Sequence, residues 1–313
     1  MSIRSGRPAW GWRHGRPTAV VAVLVAVVLT FPGVVPNVLL RLGSLTDTFL
    51  PWLGLLVPVL LGVALWRRSL LALVVVLLPA VAWVGAFGGL MRSGERADLV
   101  VVQHNVSDEN ADPAATARAL MRPGPDLIGV EEVTPEALPA YEAAFAQRYP
   151  HHTVQGTVGL WSRHPLAEAR LLDIKPGGLD ADWRRGLRAL ARTPHGDVAV
   201  YVTHLPSLRP GPRGFDTRRR DDSARKLGAA LAAEPVRRVV LIGDLNATLD
   251  DRGLRPVGDH VTGAATGFAF SWPAAAPVAR IDQVMVRRGN VTAVRTLPRT
   301  GSDHLPIAAR VRW

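Results

Sequence analysis

The 313-residue sequence contains no cysteine. This absence excludes disulfide bonds, thiolate metal sites and cysteine nucleophiles, although it does not identify the compartment in which the protein works. The chain also lacks an internal repeat. With 48% hydrophobic residues against 20% charged ones, it has ample material for a core. Its length suits one large domain or two small ones.

Charged residues are missing from three long stretches near the amino terminus. Each stretch reaches or approaches the ~20 residues with which a helix crosses a bilayer, and together they cover residues 17–40, 48–66 and 69–91. The alternative is a signal peptide followed by buried core helices. However, no small-residue cleavage signal follows Phe31, and two more apolar stretches come after it. We therefore expect three membrane spans, the first kinked or shortened by Pro32 and Pro36.

The arginines around these stretches predict an orientation, because cytoplasmic loops are enriched in Lys and Arg. Arg67–Arg68 separates the second stretch from the third, whereas the loop at 41–47 is nearly neutral. Four more arginines precede the first stretch: Arg4, Arg7, Arg13 and Arg16. We therefore expect a multi-pass protein of the cell membrane with a cytoplasmic amino terminus. An odd number of spans then places everything after Met91 outside the membrane.

A strongly basic surface of the kind that binds nucleic acid is absent from the sequence beyond these stretches. The formal net charge is +11, and residues 1–97, with nine basic and two acidic side chains, contribute +7 of it. Residues 98–313 hold 28 basic and 24 acidic side chains, a net charge of +4. Most of the excess of basic residues therefore lies around the predicted membrane spans. The sequence leaves open the alternative of a local basic patch around Arg218–Arg219–Arg220.

From Asp98 onward, short apolar segments alternate with helical ones, as in an α/β domain. Helices are predicted at ADPAATARALMR, with Asp112 as N-cap, after Thr134–Pro135, and over Asp221–Ala233. Residues 206–217 and 250–277 are rich in Gly, Pro and polar side chains, which predicts long surface loops of a kind that is often functional. Strands are predicted at LVVVQHNV, DLIGVEEV, TVGLW, LAEARLL, DVAVYVTHL, RRVVLIGDLN, ARIDQVMVRR and LPIAARVRW.

Polar residues recur near the ends of these predicted strands. Each has an ordinary explanation when taken alone, because Asp and Asn form turns, an isolated His is usually structural, and adjacent Glu residues can line a solvated edge. Asp244 and Asn246 stand two positions apart after an apolar run, so in an extended segment their side chains share one face. The full set is Asn105, Glu131, Glu132, His204, Asp244, Asn246, Asp282, Asp303 and His304.

The order of these residues resembles the motif series of the endonuclease/exonuclease/phosphatase superfamily. That superfamily includes secreted DNases, abasic-site endonucleases, neutral sphingomyelinases and inositol polyphosphate phosphatases. LIGDLNA and GSDHLPI match its two most specific signatures, and the other matching segments are PDLIGVEEV, GLWSRHPL, VYVTHL and RIDQVMV. Two positions depart from the usual pattern: Glu131 stands where Gln is common, and Val202 where many members have Asn.

The resemblance covers about residues 98–313. It implies an α/β fold, a four-layer two-sheet α/β sandwich with the site at one end, here preceded by three transmembrane helices. The expected organisation is a cytoplasmic basic tail at 1–16, a three-helix transmembrane region at 17–91, a linker at 92–97 and an extracytoplasmic catalytic domain at 98–313.

The resemblance also implies a metal-dependent phosphoester hydrolase. Phosphate oxygens repel an anionic nucleophile, so such an enzyme needs a cation to neutralise charge and a group to prepare water. Mg²⁺ or Mn²⁺ is the expected ion, because both suit hard oxygen ligands. The expected metal ligands are Asn105, Glu132 and Asp303.

The remaining motif residues are expected to carry the catalytic steps. Asp244 would align or deprotonate the attacking water, and Asn246 would donate a hydrogen bond to the crowded phosphorus centre. His304 would contact the phosphate or relay a proton, with Asp282 holding its tautomer, and His204 would donate to another phosphate oxygen. Arg185 or Arg188 could add a phosphate contact, although a solvated arginine at a strand edge is the more ordinary interpretation.

A hydrolase tethered by three spans works close to the outer leaflet, which favours a lipid-linked or head-group phosphate of the cell envelope as substrate. The layout resembles the membrane-anchored bacterial group called VanJ-like. The alternatives are a membrane-anchored extracellular nuclease and a catalytically silent binding module. The second is disfavoured because all six motifs retain competent side chains. The sequence leaves monoesterase and diesterase chemistry open and indicates no protein partner.

Overall fold

A computed structural model describes residues 10–12, 15–38, 40–92, 97–211, 214–264 and 266–313. The chain forms two compact units, Met1–Gly89 and Leu90–Trp313. Helices make up the first unit, and the sheets lie in the second.

Most helices of the first unit form within the apolar stretches, but one, Leu42–Thr48, forms where a loop was expected at 41–47. Helical 3-10 segments at Pro32–Val34, Leu50–Leu55 and Gly88–Met91 flank or extend them. Leu70–Met91 is the one helical run of the described residues that by itself is long and apolar enough to cross a membrane, with 22 residues and a mean hydropathy of 2.6. The α-helices are α1 Arg16–Thr30, α2 Leu42–Thr48, α3 Leu56–Trp66, α4 Leu70–Val75 and α5 Leu77–Phe87.

Proline accounts for the shorter helices in the other two apolar stretches. α1 has 15 residues and stops before Phe31, whose φ of −133° and ψ of 68° are not helical. Pro32 explains this end, because proline disfavours helical geometry in the residue before it. α2 and the helical run Leu50–Trp66 form a pair bent by 71°. One helix, or two when the bent pair counts as one span, therefore meets the length and composition of a membrane span, and the expected three transmembrane helices are not confirmed.

The second unit contains two large sheets. Its helices are α6 Pro113–Met121, α7 Leu138–Phe145, α8 Arg218–Ala233 and α9 Arg255–Gly258. Its strands are β1 Leu99–Asn105, β2 Leu127–Glu131, β3 His151–Gln155, β4 Val158–Ser162, β5 Leu166–Leu171, β6 Gly186–Thr193, β7 Gly196–His204, β8 Arg209–Gly211, β9 Gly214–Asp216, β10 Arg238–Asp244, β11 Asp282–Arg287, β12 Asn290–Thr296 and β13 Ile307–Arg312.

The two sheets pack face to face between layers of helix. The six-stranded sheet has the order β12-β13-β1-β2-β4-β3, and the five-stranded sheet has the order β11-β10-β7-β6-β5. Their inner faces share one apolar core, and at Gly129 an added Cβ would lie 2.5 Å from Cγ2 of Ile242. Leu120 of α6 and Phe145 of α7 pack on the outer face of the first sheet, and Leu227 of α8 packs on the outer face of the second. The predicted two-sheet α/β sandwich is confirmed.

Most elements of the second unit follow the sequence pattern. Asp112 caps α6 as expected, accepting a hydrogen bond from the Ala115 amide at 2.8 Å. Five strands lay outside the prediction, namely β3, β6, β8, β9 and β12. β6 was hidden because its segment GLRALART carries Arg188, which is buried although it is charged. The predicted loops at 206–217 and 250–277 contain the β8–β9 pair and α9.

Candidate active site

The candidate site lies where parallel strands of both sheets end. β1 and β2 are parallel, and their last paired residues are Asn105 and Glu131. β7 and β10 are also parallel, and they end with the pair His204 and Asp244. Asp282, the first residue of antiparallel β11, pairs with Asp244 from the other side. A hydrogen bond from Asn105 Nδ2 to Asp244 Oδ2, 3.2 Å long, joins the two sheet ends.

Asp244 is the centre of this cluster. Its Oδ1 accepts a hydrogen bond from the Asn246 amide at 2.9 Å, and its Oδ2 lies 3.3 Å from Asn246 Nδ2. The same Oδ2 lies 3.6 Å from His204 Nε2 and 3.8 Å from His304 Nε2. Burial raises the pKa of Asp244 to about 7, against the effect of the nearby His304 charge. A carboxylate with such a pKa is suited to accept a proton near neutral pH.

His304 and Asp282 form a buried pair beside Asp244. His304 Nδ1 lies 2.8 Å from Asp282 Oδ2. Burial alone would lower the pKa of His304, but the charges of Asp282 and Asp244 raise it to about 10. Burial would conversely raise the pKa of Asp282, and the charge and hydrogen bond of His304 hold it below its ordinary value. The pair is therefore an imidazolium held by a carboxylate, and Asp282 sets the orientation of the ring.

Gln103 and Glu131 support this pair. The sequence candidates did not include Gln103, and they included Glu131 without a role in the site. Gln103 Nε2 donates to Asp282 Oδ1 and to Glu131 Oε2, both at 2.8 Å, and so links the two sheets. Burial, followed by the charges of Asp282 and Asp244, raises the pKa of Glu131 well above its ordinary value. Glu131 was considered only as the neighbour of Glu132, and Gln103 carried no signal, because its partner Asp282 lies far along the chain.

Glu132 and Asn246 adopt left-handed backbone conformations directly beyond their strands, with φ of 62° and 47°. Such conformations are uncommon in residues other than glycine and often mark functional positions. They also correct the expectation of an extended D-x-N segment, since β10 ends at Asp244 and a turn brings the two side chains together. Asn246 Nδ2 donates to the Leu205 carbonyl at 2.8 Å as well as facing Asp244. A hydrogen bond to phosphate would therefore replace its contact with Asp244.

His204 lies between an acidic side and a basic side of the site. Its Nε2 is 3.7 Å from Glu132 Oε1, and Arg185 Nη1 lies 3.1 Å from its Nδ1. Burial and then the Arg185 charge place the pKa of His204 well below its ordinary value, so the ring is neutral. Arg185 therefore borders the site, and a contact between Arg185 and phosphate stays a prediction.

Asp303 is exposed, unlike its neighbour His304. Its backbone carbonyl accepts a hydrogen bond from the Ala274 amide at 2.6 Å. Ser302 ties the same loop to the end of β1 by donating its hydroxyl to the Asn105 carbonyl at 2.7 Å. The structure thus places Asp303 at the rim of the cluster, where its charge still helps to raise the pKa of His304.

Two arginines named from the sequence lie elsewhere. Arg188 is neither solvated nor part of the site, because its guanidinium is buried between Glu234 and Glu168. Arg220 does not belong to a surface patch, because it is fully buried and its two terminal nitrogens donate to Asp251 at 2.8 and 3.0 Å. It also donates to the Asn246 carbonyl at 3.2 Å and so supports the turn that carries Asn246.

The donor atoms of the cluster fit a hard divalent cation. Asp244, Asp282 and His304 each offer a ligand atom within 4.8 Å of the others. His304 is already bound to Asp282, so oxygen atoms are the more available donors. Within the described residues, Oε1 of Gln103 and Oε1 of Glu131 are buried without a hydrogen-bond partner. Oxygen-rich sites of this kind suit Mg²⁺ or Mn²⁺ better than softer metals.

Comparison with solved structures shows the same fold. Sphingomyelinase C from Streptomyces griseocarneus is 20% identical, with a TM-score of 0.52 over 69% of this chain and 99% of that one. Beta toxin from Staphylococcus aureus, a mutant with bound magnesium ions, is 16% identical, with a TM-score of 0.56 over 68% and 99%. D. rerio TDP2 with a single-strand DNA product is 17% identical, with a TM-score of 0.57 over 69% and 99%.

No curated protein sequence is significantly similar to this chain. The model of the endonuclease/exonuclease/phosphatase family matches residues 102–304, which include every one of the site residues described above. That match covers well over half of the chain and agrees with the sandwich fold and the clustered motif residues. The chain therefore belongs to the endonuclease/exonuclease/phosphatase family and is a metal-dependent hydrolase of phosphate esters.

Proposed function

We propose that this protein is a membrane-anchored hydrolase that uses Mg²⁺ or Mn²⁺ to cleave a lipid-linked or head-group phosphate of the cell envelope. The observation that carries the chemistry is the buried cluster around Asp244, in which Asn105, Asn246, His204 and His304 converge on one carboxylate. A membrane anchor and a lipid substrate have separate support.

Support for the anchor comes from the first unit. Its large apolar side chains are exposed along α1, α3 and α5, among them Leu24, Val59 and Val81, which are 59%, 59% and 71% exposed. In water such a surface would be costly, whereas lipid would cover it. The proposed topology keeps three passes, with a cytoplasmic tail at 1–16, a membrane region at 17–91, a linker at 92–97 and the catalytic domain at 98–313 outside. The same layout supports the proposed membership of the VanJ-like group.

The side chains of the cluster have complementary proposed roles. Asp244 takes a proton from the attacking water, whose oxygen bonds to phosphorus as the ester oxygen leaves. The imidazolium of His304 neutralises part of the charge that collects on the phosphate, and neutral His204 donates to another phosphate oxygen. Asn246 stabilises the crowded phosphorus centre.

Asn105, Glu132 and Asp303 are the proposed metal ligands. Asn105 and Glu132 lie next to the catalytic carboxylate and to His204, and both offer oxygen atoms. Asp303 adds an exposed carboxylate at the rim. A divalent cation bound there would neutralise the negative charge of the phosphate.

The substrate is proposed from the membrane tether. Tethering concentrates the enzyme near lipid phosphates and gives no comparable advantage for soluble nucleotides. The structural likeness to a sphingomyelinase supports a head-group substrate, and the likeness to TDP2 keeps a nuclease as the competing outcome.

An activity screen of the full chain in detergent tests this proposal. The substrates are a polyprenyl phosphate, sphingomyelin, phosphatidic acid, single-stranded DNA and bis(p-nitrophenyl) phosphate, each with and without EDTA. We expect metal-dependent turnover that is highest on a lipid phosphate. Turnover that survives EDTA would contradict the metal mechanism, and DNA as the best substrate would replace the proposal with the nuclease.

A reporter fused after Trp313 tests the topology. We expect a periplasmic or extracellular reporter to be active and a cytoplasmic one to be silent. The opposite result would overturn the orientation and, with it, the envelope substrate.

A further inference from the structure

A groove with a volume of about 760 Å³ opens beside the active site. It lies between the connection from β5 to β6 and the segment that leads into α8. Its lining includes Pro176, Trp183, Arg185, Pro206 and Arg219. Arg185 joins the groove to the active site, because its guanidinium also contacts the ring of His204.

The groove carries positive charge that acidic neighbours do not balance. Two of its four arginines are paired, Arg218 with Asp216 at 2.8 Å and Arg225 with Asp222 at 3.0 Å. The other two, Arg185 and Arg219, have no carboxylate within ion-pair distance in the part of the chain that the structure describes. Guanidinium groups of this kind match the oxygens of a phosphate in pairs.

Arg185 is held in place at the junction. Its backbone carbonyl accepts a hydrogen bond from the His204 amide at 2.9 Å. Its guanidinium lies over the ring of Trp183, 5.6 Å from the ring centre. A flexible surface arginine loses side-chain entropy when it binds an anion, and these contacts remove part of that cost in advance.

Arg185 lies close to the residues that are proposed to bind the reacting phosphate. Asp244 Oδ2 lies 3.6 Å from His204 Nε2, and Arg185 Nη1 lies 3.1 Å from His204 Nδ1 and 3.3 Å from His204 Nε2. The groove therefore begins where Arg185 contacts His204, directly beside a phosphate at Asp244 and His304.

We propose that the groove binds a second phosphate group of the substrate, next to the phosphate that is hydrolysed, so that the site prefers diphosphates to monophosphates. This inference rests on the proposed function, because it describes how the same site selects its substrate. Arg185 holds the near side of the second phosphate, and Arg219 holds its far side from the rim of the groove.

Calorimetric titration of the full chain in detergent tests the inference without requiring turnover. The probes are inorganic phosphate and methylenediphosphonate, a diphosphate analogue that cannot be hydrolysed, at equal free Mg²⁺. We expect the diphosphonate to bind about tenfold more tightly, which corresponds to one charge-assisted contact. Arg219→Ala should remove most of this advantage. Arg237→Ala removes the same charge from an exposed position outside the groove and should leave the advantage intact.

Equal affinity for the two probes, or an advantage that survives in Arg219→Ala, would overturn the inference. A single-stranded oligodeoxynucleotide that displaces the diphosphonate, with affinity falling steeply as salt rises, would overturn it in favour of a nucleic-acid strand. Tighter binding of farnesyl diphosphate than of inorganic pyrophosphate would support the inference and indicate that the diphosphate belongs to a lipid. Equal binding of the two would support the inference and indicate a soluble diphosphate. If the diphosphonate binds as expected while no phosphate ester is hydrolysed, the proposed function fails and the groove assignment stands.

Discussion

The two units of this protein use apolar side chains in opposite ways. In Met1–Gly89, leucine and valine side chains point outward along the helices, and among the described residues of Leu90–Trp313 the exposed large hydrophobics are Met91, Leu171 and Trp272. The second unit hides its apolar residues between and behind two sheets and buries polar ones at a single end of the sandwich. Water favours the burial of apolar side chains seen in the second unit. The exposed apolar surface of the first unit is costly in water and favours a covering of lipid or protein.

The burial of polar groups differs as well. The second unit places Gln103, Glu131, Asp244 and Asp282 in its interior, all 2% exposed or less. Their hydrogen bonds to one another and to His304 satisfy most of these groups, yet each carboxylate is costly to keep out of water. Such a cost with no evident gain in stability is typical of a functional site. The difference supports the proposed membrane contact of the first unit and places the buried polar cluster at one end of the second.

The largest expected effect comes from removing the central carboxylate. Asp244→Asn removes the proton acceptor while keeping the shape of the side chain, and we expect kcat to fall by a factor of about 10² or more. Steady-state assays on bis(p-nitrophenyl) phosphate measure the loss, and circular dichroism reports folding. Asp197→Asn, at the start of β7 and exposed, is the matched control and should retain full activity. Comparable activity in both variants would move the chemistry away from Asp244.

Separating the two units is the next largest test. The fragment Leu90–Trp313 should be soluble without detergent and should hydrolyse the chromogenic diester at close to the rate of the full chain. Its turnover of lipid phosphate in vesicles should fall by about 10²-fold or more, because the tether no longer concentrates enzyme and substrate on one surface. Equal turnover of vesicle lipid by both proteins would show that the first unit contributes nothing to substrate access.

The ends of the strands in the second unit could be predicted because each is marked in the sequence by an apolar run followed by polar residues. LIGDLNA combines an apolar run with polar residues at its exit, and Gly243 fits because an added Cβ would lie 1.9 Å from the Thr203 carbonyl oxygen. The resemblance of such segments to a known motif series gave the order of the site residues along the chain. Their spatial arrangement follows from parallel pairing of β1 with β2 and of β7 with β10.

What could not be predicted depends on partners far apart in the sequence. Gln103 bridges Glu131 and Asp282, and Arg220 joins Asp251 to the Asn246 turn. Nothing local distinguishes these residues from ordinary surface polar groups. In the first unit the apolar runs and the shortening of the first one at Pro32 were evident, but the sequence did not show the bend of the second one near Pro51, because that depends on packing as well as composition.

A buried ion pair outside the site provides a smaller and purely structural test. Arg188 Nε donates to Glu234 Oε2 at 3.0 Å, and both side chains are almost fully buried. Glu234→Gln should lower the free energy of unfolding of Leu90–Trp313 by about 3 kcal/mol, because it removes the buried counterion of Arg188 and leaves only the exposed carboxylate of Glu168 beside that charge. Urea unfolding measures this change. Glu142→Gln breaks an exposed pair with His152 and should cost about 0.5 kcal/mol or less.

The pH dependence of this pair has a defined sign. Burial alone would raise the pKa of Glu234, but hydrogen bonds from Arg188 and Tyr201 hold it below its ordinary value of 4.5. The stabilisation is therefore complete above pH 4.5 and is lost as the pH falls through the lowered pKa. Glu234→Gln should flatten the acid side of the stability curve. An unchanged acid limb would show that other carboxylates determine acid unfolding.

The smallest expected effect is the response of activity to salt, and it separates the two candidate substrates. A nuclease that neutralises several phosphates loses about 10³-fold or more in affinity between about 50 and about 200 mM salt, because bound counterions are released. The second unit has a net charge of +4 over residues 98–313, and the proposed substrate presents one or two phosphates. We therefore expect kcat/KM for lipid phosphate to change by less than about threefold over the same range.

The measurement uses the full chain in mixed micelles, with single-stranded DNA assayed in parallel. A steep salt dependence together with efficient DNA cleavage would mean that arginines of the second unit bind a nucleic-acid backbone. The second unit would then be a nuclease and not a head-group hydrolase.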